Sequence, residues 1–187
     1  MTAYITFLGA PGSGKGTQAE KLVNDLALKT LGIGDSMRYE ISNHTEIGKL
    51  AEQYVKSGQL VPDEIVIDIV KNSISPDMLS NGFIADGFPR NLEQAKQYDK
   101  FLESGPLDTV IIYIDVPFDA LKHRLMARGR EDDTEEVIQK RNEVYLETIQ
   151  PILDYFGDRV IKIDGSQSPE TVFNSILAAV EAKKVTT

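Results

Sequence analysis

The sequence predicts an α/β fold, a central parallel sheet of five strands with helices on both faces. Three observations carry this expectation. Short apolar runs, several of them rich in Ile, Val, Phe or Tyr, alternate with longer stretches of helical period, and crossovers of that length imply parallel pairing. The first run, Tyr4 to Leu8, leads directly into the glycine-rich stretch G-A-P-G-S-G-K-G-T at 9–17 and then into a helix-like segment at 18–28. The chain has 187 residues, 41% hydrophobic and 26% charged, which suits one soluble domain with a sizeable core.

Taken in order, the strands are expected at 4–8, near 28–31, at 82–86, at 109–115 and at 159–163. Between the second and third, residues 34–75 contain no strand pattern. Helical periods at 36–43, 46–56 and 63–73, punctuated by Ser57-Gly58 and Pro62, make this a helical insertion that acts as a flap. Asp119 leads into a helix over 120–127, Asp133-Thr134 with Glu135-Glu136 into a long one, and Ser168-Pro169-Glu170 into the last. The polar run R-G-R-E-D-D joins the first two of these as a short arginine-bearing loop. The expected organisation is therefore a core of 1–31, 76–127 and 134–187, an insertion of about 32–75 and a short loop of about 128–133.

Composition excludes several roles. A formal charge of −9 opposes binding to a nucleic-acid polymer or an anionic membrane, so any anion site must be a local concentration of positive charge. The absence of cysteine excludes disulfides and thiolate zinc sites. No basic leader and no long apolar segment is seen, which gives the expectation of a cytoplasmic protein, monomeric by default.

The glycine-rich stretch has the form of a P-loop. Glycines at 9, 12, 14 and 16 let the backbone curl with N–H groups inward, the following helix contributes its positive N-terminus, and Lys15 adds a full charge. Gly16 stands where Ser or Thr usually holds magnesium, and the hydroxyl follows at Thr17. Seven of the twenty basic residues are arginines. Arg38 follows Gly34-Asp35, Arg90 follows Asp86-Gly87-Phe88-Pro89, and Arg124, Arg128, Arg130 and Arg141 surround the short loop; only Arg159 lacks such a setting. Guanidinium forks match phosphate oxygens in a bidentate way, and six of them beside a P-loop point to phosphate chemistry rather than to surface ion pairs. His44 and His123 are isolated and read as surface or structural. No N-K-x-D guanine-reading motif occurs, which argues against a GTP switch, and a catalytically silent nucleotide sensor has no use for six such arginines.

These motifs, in order G-A-P-G-S-G-K-G-T at 9–17, G-D-S-M-R at 34–38, G-Q-L-V-P-D at 58–63, D-G-F-P-R-N-L-E-Q-A at 86–95, R-L-M-A-R-G-R-E-D-D at 124–133 and K-R at 140–141, resemble those of the adenylate kinase family in its short-lid form over nearly the whole chain. The resemblance implies a P-loop three-layer sandwich and the reaction MgATP + AMP ⇌ 2 ADP. It implies that Gly12, Ser13, Gly14, Lys15, Gly16 and Thr17 wrap the ATP phosphates, and that Arg124, Arg128 and the backbone near Gln167 serve ATP. Arg38 and Arg90 would clamp the AMP phosphate, Gln94 would read the adenine edge, and Gln59, Leu60, Val61, Gly87, Phe88 and Pro89 would complete that pocket. Arg130 and Arg141 would close with the lid, and Asp86 would hold Mg2+ through water. Where the family usually reads S-T-G-D, this chain reads Gly32-Ile33-Gly34-Asp35, so Ile33 is expected at the acceptor base in place of threonine. A UMP/CMP kinase is the alternative, against which Gln94 speaks, since pyrimidine kinases tend to carry Asn there. With a short lid and no cysteine, the chain is expected to be indifferent to zinc.

Overall fold

β1 (Ala3–Leu8) is buried along its whole length, which explains why it reads as a continuous apolar run rather than an alternating one. In this computed structural model residues 3–105, 108–130 and 132–184 are described. β1 is the middle strand of a five-stranded sheet with β2 (Lys29–Gly32), β3 (Gly82–Asp86), β4 (Thr109–Asp115) and β5 (Val160–Asp164), in the order β2-β3-β1-β4-β5. Every pairing is parallel, and Ile5 lies opposite Ile84 on one side and Val110 on the other.

The two-residue period of β1 divides the core. Ala3, Ile5 and Phe7 join Ile84, Val110 and Ile112 on one face, covered by α1 (Lys15–Leu26) and α9 (Pro169–Lys184) through Leu22, Val172 and Ile176. On the opposite face Leu8 and Ile111 meet α6 (Leu92–Glu103) and α8 (Glu135–Phe156) through Ala95, Ile149, Ile152 and Phe156. Tyr4, Phe83 and Ala85 continue that face towards the insertion. Thr6, polar inside a buried strand, satisfies its hydroxyl against the Tyr98 hydroxyl at 3.1 Å.

The insertion consists of α2 (Ile33–Ser42), α3 (Glu46–Ser57) and α4 (Asp63–Ser73), with no strand among the described residues between β2 and β3. It is anchored to the sheet by Val66, Ile69 and Val70 of α4, which share a cluster with Phe83 and Leu102. A further short helix, α5 (Pro76–Asn81), precedes β3, capped by the Ser75 hydroxyl with Pro76 at its first position. α7 (Phe118–Arg128) begins ahead of the expected 120, at a Pro117 cap; Asp119 does not cap it but lies in its first turn. Thr134 does cap α8, accepting from the Val137 N–H, and Ser168 accepts from the Thr171 N–H at the start of α9. Among the described residues no helix is long and apolar enough to cross a membrane. Glu131, in the middle of the expected lid, lies outside the described residues.

The chain leaves β1 towards β2 and β3 on one side and later adds β4 and β5 on the other. Such a reversal of strand order opens a crevice at the carboxyl ends of the strands, the usual place for a ligand in an open α/β sheet.

Candidate active site

The crevice is a cleft of about 1010 Å³ at the mouth of the glycine loop. Gly9, Gly12 and Gly14 all have positive φ, at 147°, 84° and 98°. At Gly9 a side chain would also strike the Ile114 carbonyl, whereas at Gly14 no atom lies within 4 Å of where a Cβ would stand. The loop is therefore tight behind and open in front, at the N-terminus of α1, where a phosphate is held by backbone N–H groups.

Lys15 folds back over this loop, its Nζ donating to the Gly9 and Ala10 carbonyls at 2.8 and 2.9 Å. An ammonium has three donors, so one remains for the cleft. Loss of solvent around it, with the charges of Arg90 and Arg128 added and the Asp86 carboxylate opposing, brings its pKa down to about 8. The Ser13 hydroxyl is buried in the same loop with no hydrogen-bond partner. Asp86 ends β3 beside the loop, and its Oδ2 would lie 3.3 Å from a Cβ placed at Gly16. Glycine at this position keeps the space between loop and carboxylate clear, and the hydroxyl stands one residue later, at Thr17.

Around this cradle stand the arginines, most of them held by carboxylates. Arg128 donates from Nε and Nη2 to the two oxygens of Asp133 at 2.8 and 2.6 Å, and the Arg130 backbone N–H donates to the same group at 3.2 Å. Arg141 pairs with Asp132 and reaches Asp133 at 3.5 Å and the Val55 carbonyl at 3.5 Å. Burial pushes Asp133 upward, but the hydrogen bond and charge of Arg128 outweigh it and leave the carboxyl below its ordinary range. Arg38 pairs with Asp35, which also faces Arg130 at 3.8 Å. Arg90 uses Nε on the Gly87 carbonyl at 2.7 Å, which fixes the plane of its fork. Desolvation and the neighbouring Arg141 and Arg38 lower its pKa although Asp86 opposes them; solvent in the cleft still reaches the side chain, and it stays charged. Arg124 holds the Gly165 carbonyl at 3.0 Å and so fastens the loop that carries Gln167, whose amide donates to Asp164 at 2.9 Å. Arg159 is apart from all of these, paired through two hydrogen bonds with Asp99.

The cleft thus gathers residues 12–17, Arg38, Gln59, Leu60, Val61, Asp86, Gly87, Pro89, Arg90, Arg124, Arg128, Arg130, Arg141 and Gln167 on one wall or another. Three expected residues are not on that wall. Phe88 is a core residue, packed edge-on against Tyr98. Ile33, expected at the acceptor base, is instead 1% exposed and packs with Leu31, Met37 and Phe83, because the first residue of α2 turns an apolar side chain into the core while Gly32 and Gly34 face the cleft. Gln94 is 1% exposed and lies behind the wall, its Oε1 accepting from the Arg90 N–H at 2.8 Å and its Nε2 donating to Asp63 at 2.6 Å. Sequence reasoning gave Asp133 only a place at the start of the long helix, where Thr134 is the cap, and gave Asp132 and Asp63 no individual role. The run of carboxylates directly after Arg128 and Arg130 was the available signal for the first two; nothing in the sequence pairs Asp63 with Gln94.

The match to known proteins covers most of the residues that build this site, Gly165 and Gln167 lying beyond the family model. A family model described as Adenylate kinase matches residues 7–161. The chain is 40% identical to adenylate kinase 1 of Nostoc sp., covering 96% of this chain and 99% of that protein. It is 41% identical to the adenylate kinase of Phocaeicola vulgatus, covering 95% and 97%. It is 38% identical to that of Thermodesulfovibrio yellowstonii, where the alignment runs over 214 residues, more than this chain possesses, so that the relative carries inserted residues. A parallel sheet with a P-loop at its switch point, arginines converging from several elements, and full-length similarity of this degree have one reading: the chain belongs to the adenylate kinase family.

Proposed function

We propose that the protein catalyses the reversible transfer of a phosphoryl group from MgATP to AMP, giving two ADP, and thereby balances adenine nucleotides. The observation that carries this reading is the convergence of Lys15 with Arg38, Arg90, Arg124, Arg128, Arg130 and Arg141 on the walls of one cleft at the mouth of the glycine loop. Cations arriving from the glycine loop, the insertion and the 124–141 region suit phosphates brought in from two sides of the cleft.

The transferred phosphoryl spreads charge over its oxygens, and the acceptor is an already ionised phosphate oxygen, so no general base is required. The protein's work is alignment and charge stabilisation. Residues 12–17 and the third Lys15 hydrogen cradle the ATP phosphates, with the Ser13 hydroxyl as a further donor. Arg124, Arg128 and the 165–167 loop hold the rest of the donor nucleotide. Arg90, its Nε held by Gly87, presents both Nη groups to the AMP phosphate together with Arg38, while Gln94 reads the base. Arg130 and Arg141 move from Asp35, Asp132 and Asp133 onto phosphate oxygens as the 128–133 lid and the insertion close, which excludes the water that would otherwise hydrolyse ATP.

Asp86 fits a magnesium site. Among the described residues no group of three His, Cys, Asp or Glu is arranged to hold a metal, so one carboxylate beside the loop, with phosphate oxygens and water as the other ligands, suits this ion better than a protein cage. Bound there, magnesium neutralises phosphate charge during transfer. The net charge of −9 disfavours nucleic acid and anionic bilayers as partners, and we read the protein as a cytoplasmic monomer acting on free nucleotides. The test is a panel of AMP, GMP, CMP and UMP offered with MgATP. AMP should give the highest kcat/KM, and a pyrimidine nucleotide ahead of AMP would replace this reading with that of a pyrimidine monophosphate kinase.

A further inference from the structure

Asp63 is the first residue of α4, and its Oδ1 accepts from two side chains of the core, Asn91 Nδ2 at 2.8 Å and Gln94 Nε2 at 2.6 Å. On the other side of the same carboxamide, Gln94 Oε1 accepts from the Arg90 backbone N–H at 2.8 Å. The two neighbours select one of two orientations. Rotating the amide by half a turn would set oxygen against the Asp63 carboxylate and NH2 against the Arg90 N–H, replacing two hydrogen bonds by an acceptor facing an acceptor and a donor facing a donor.

This choice has a chemical meaning for a purine. Each bond uses one hydrogen of Nε2 and one lone pair of Oε1, so one hydrogen and one lone pair remain, with the donor on the insertion side and the acceptor on the Arg90 side. Adenine offers an acceptor at N1 beside a donor at its 6-amino group; hypoxanthine and guanine offer a donor at N1 beside an acceptor at O6. The two patterns are reversed. A base tethered through its phosphate to Arg38 and Arg90 cannot turn its edge end for end, so one amide orientation suits 6-aminopurines and the other 6-oxopurines. We propose that Asp63 is a specificity-determining positioning residue, locking the Gln94 amide in the orientation that accepts a 6-aminopurine monophosphate and rejects a 6-oxopurine one.

The inference rests on Gln94 reading the acceptor base, which requires the free edge of its amide, 1% exposed in this conformation, to be uncovered by movement of the insertion. The experiment compares kcat/KM for AMP and IMP, each with saturating MgATP, in the natural protein, Asp63→Ala, Asp63→Asn and Gln94→Leu. The ratio of the two substrates within one preparation is independent of how much of a variant is folded. Asp63→Ala should lower the AMP/IMP ratio about tenfold, consistent with the discrimination that hydrogen-bonded sites supply. The KM for ATP should stay unchanged, and Asp63→Asn, which keeps an oxygen acceptor at the same place, should restore most of the ratio. If Asp63→Ala slows both monophosphates in equal proportion, Asp63 serves only to hold α4 to the core and the inference is overturned. A ratio lost in Gln94→Leu but kept in Asp63→Ala overturns the role of Asp63 alone. A ratio kept in Gln94→Leu overturns the base-reading role of Gln94, and this inference with it.

Discussion

Ile33→Thr separates the two places this side chain has been put. In the family pattern a threonine at this position belongs to the acceptor-base pocket, and restoring it should sharpen selectivity for AMP. In the structure Ile33 is 1% exposed among Leu31, Met37, Phe83 and Ala85, and the substitution is a core mutation. It removes one terminal methyl, about 0.8 kcal/mol of transfer free energy before any cavity term, and puts a hydroxyl where a second apolar carbon stood. Burial of an unpaired hydroxyl adds ~1–3 kcal/mol. The sum, about 2–4 kcal/mol, corresponds to a fall in Tm of roughly 5–15 °C for a chain of this size. Calorimetry measures that loss, and steady-state kcat/KM for AMP, CMP, UMP and GMP measures selectivity, whose ratios should not move by more than about twofold. A variant that melts like the natural protein but discriminates better between AMP and the others would refute the burial reasoning and place residue 33 against the base.

Other perturbations address the cradle and its charges. Lys15→Met should abolish transfer, because the only lysine in the loop is lost, while the fold stays intact with a side chain of similar length; turnover like that of the natural protein would contradict the role of the loop. Arg90→Ala should lower kcat by ~10²–10³, about 2.7–4 kcal/mol, if its bonds strengthen in the transition state, and a rise in the AMP KM alone would make it a uniform binder. Because the Lys15 pKa lies near 8 rather than 10.5, kcat/KM for ATP should fall as pH rises through about 8, where the free enzyme loses the ammonium, whereas kcat should persist to higher pH because bound phosphates favour the charged form. The same shift makes the unfolded chain bind more protons between about 8 and 10.5, so Lys15 should make stability rise with pH across that window; a Tm contribution of opposite sign, measured against Lys15→Met, would contradict it. Chelation of zinc with magnesium resupplied should leave Tm and activity unchanged, and a large drop in either would reveal a metal site outside the residues named here.

What was legible in the sequence was what neighbouring residues encode together. β1 and the glycine loop are consecutive, their apolar run and their glycines being dictated by burial on two faces and by backbone curvature, and they stand where expected. The six cleft arginines were also readable: Arg90 follows a strand end, Arg130 lies in the loop between α7 and α8, Arg124, Arg128 and Arg141 lie on those two helices, and Arg38 lies on the first helix of the insertion. The short helix α5 was not, since six residues hold too few apolar positions to show a period. The sequence also could not show which way single side chains point once helices pack. Ile33 sits between two cleft-lining glycines and still faces inward, and Gln94 is turned by Asp63, a residue 31 positions away.

The acidic partners of the arginines explain how an anionic protein keeps a cationic site usable. Six guanidinium groups in one cleft repel one another, and Arg130 feels this from Arg38 and Arg128, its pKa lowered first by desolvation and then by those charges. Asp133, whose side chain is 1% exposed, offers Arg128 the same two-oxygen face that a phosphate would, while Asp132 and Asp35 each meet Arg141 and Arg38 through a single oxygen. Arg128 is therefore oriented before a nucleotide arrives, and a phosphate there would exchange one bidentate oxygen pair for another, whereas Arg38 and Arg141 would each give up a single-oxygen contact. Because the carboxylates at 35, 132 and 133 stay beside the arginines, they would compete with a product phosphate for the same donors and so favour release as well as order.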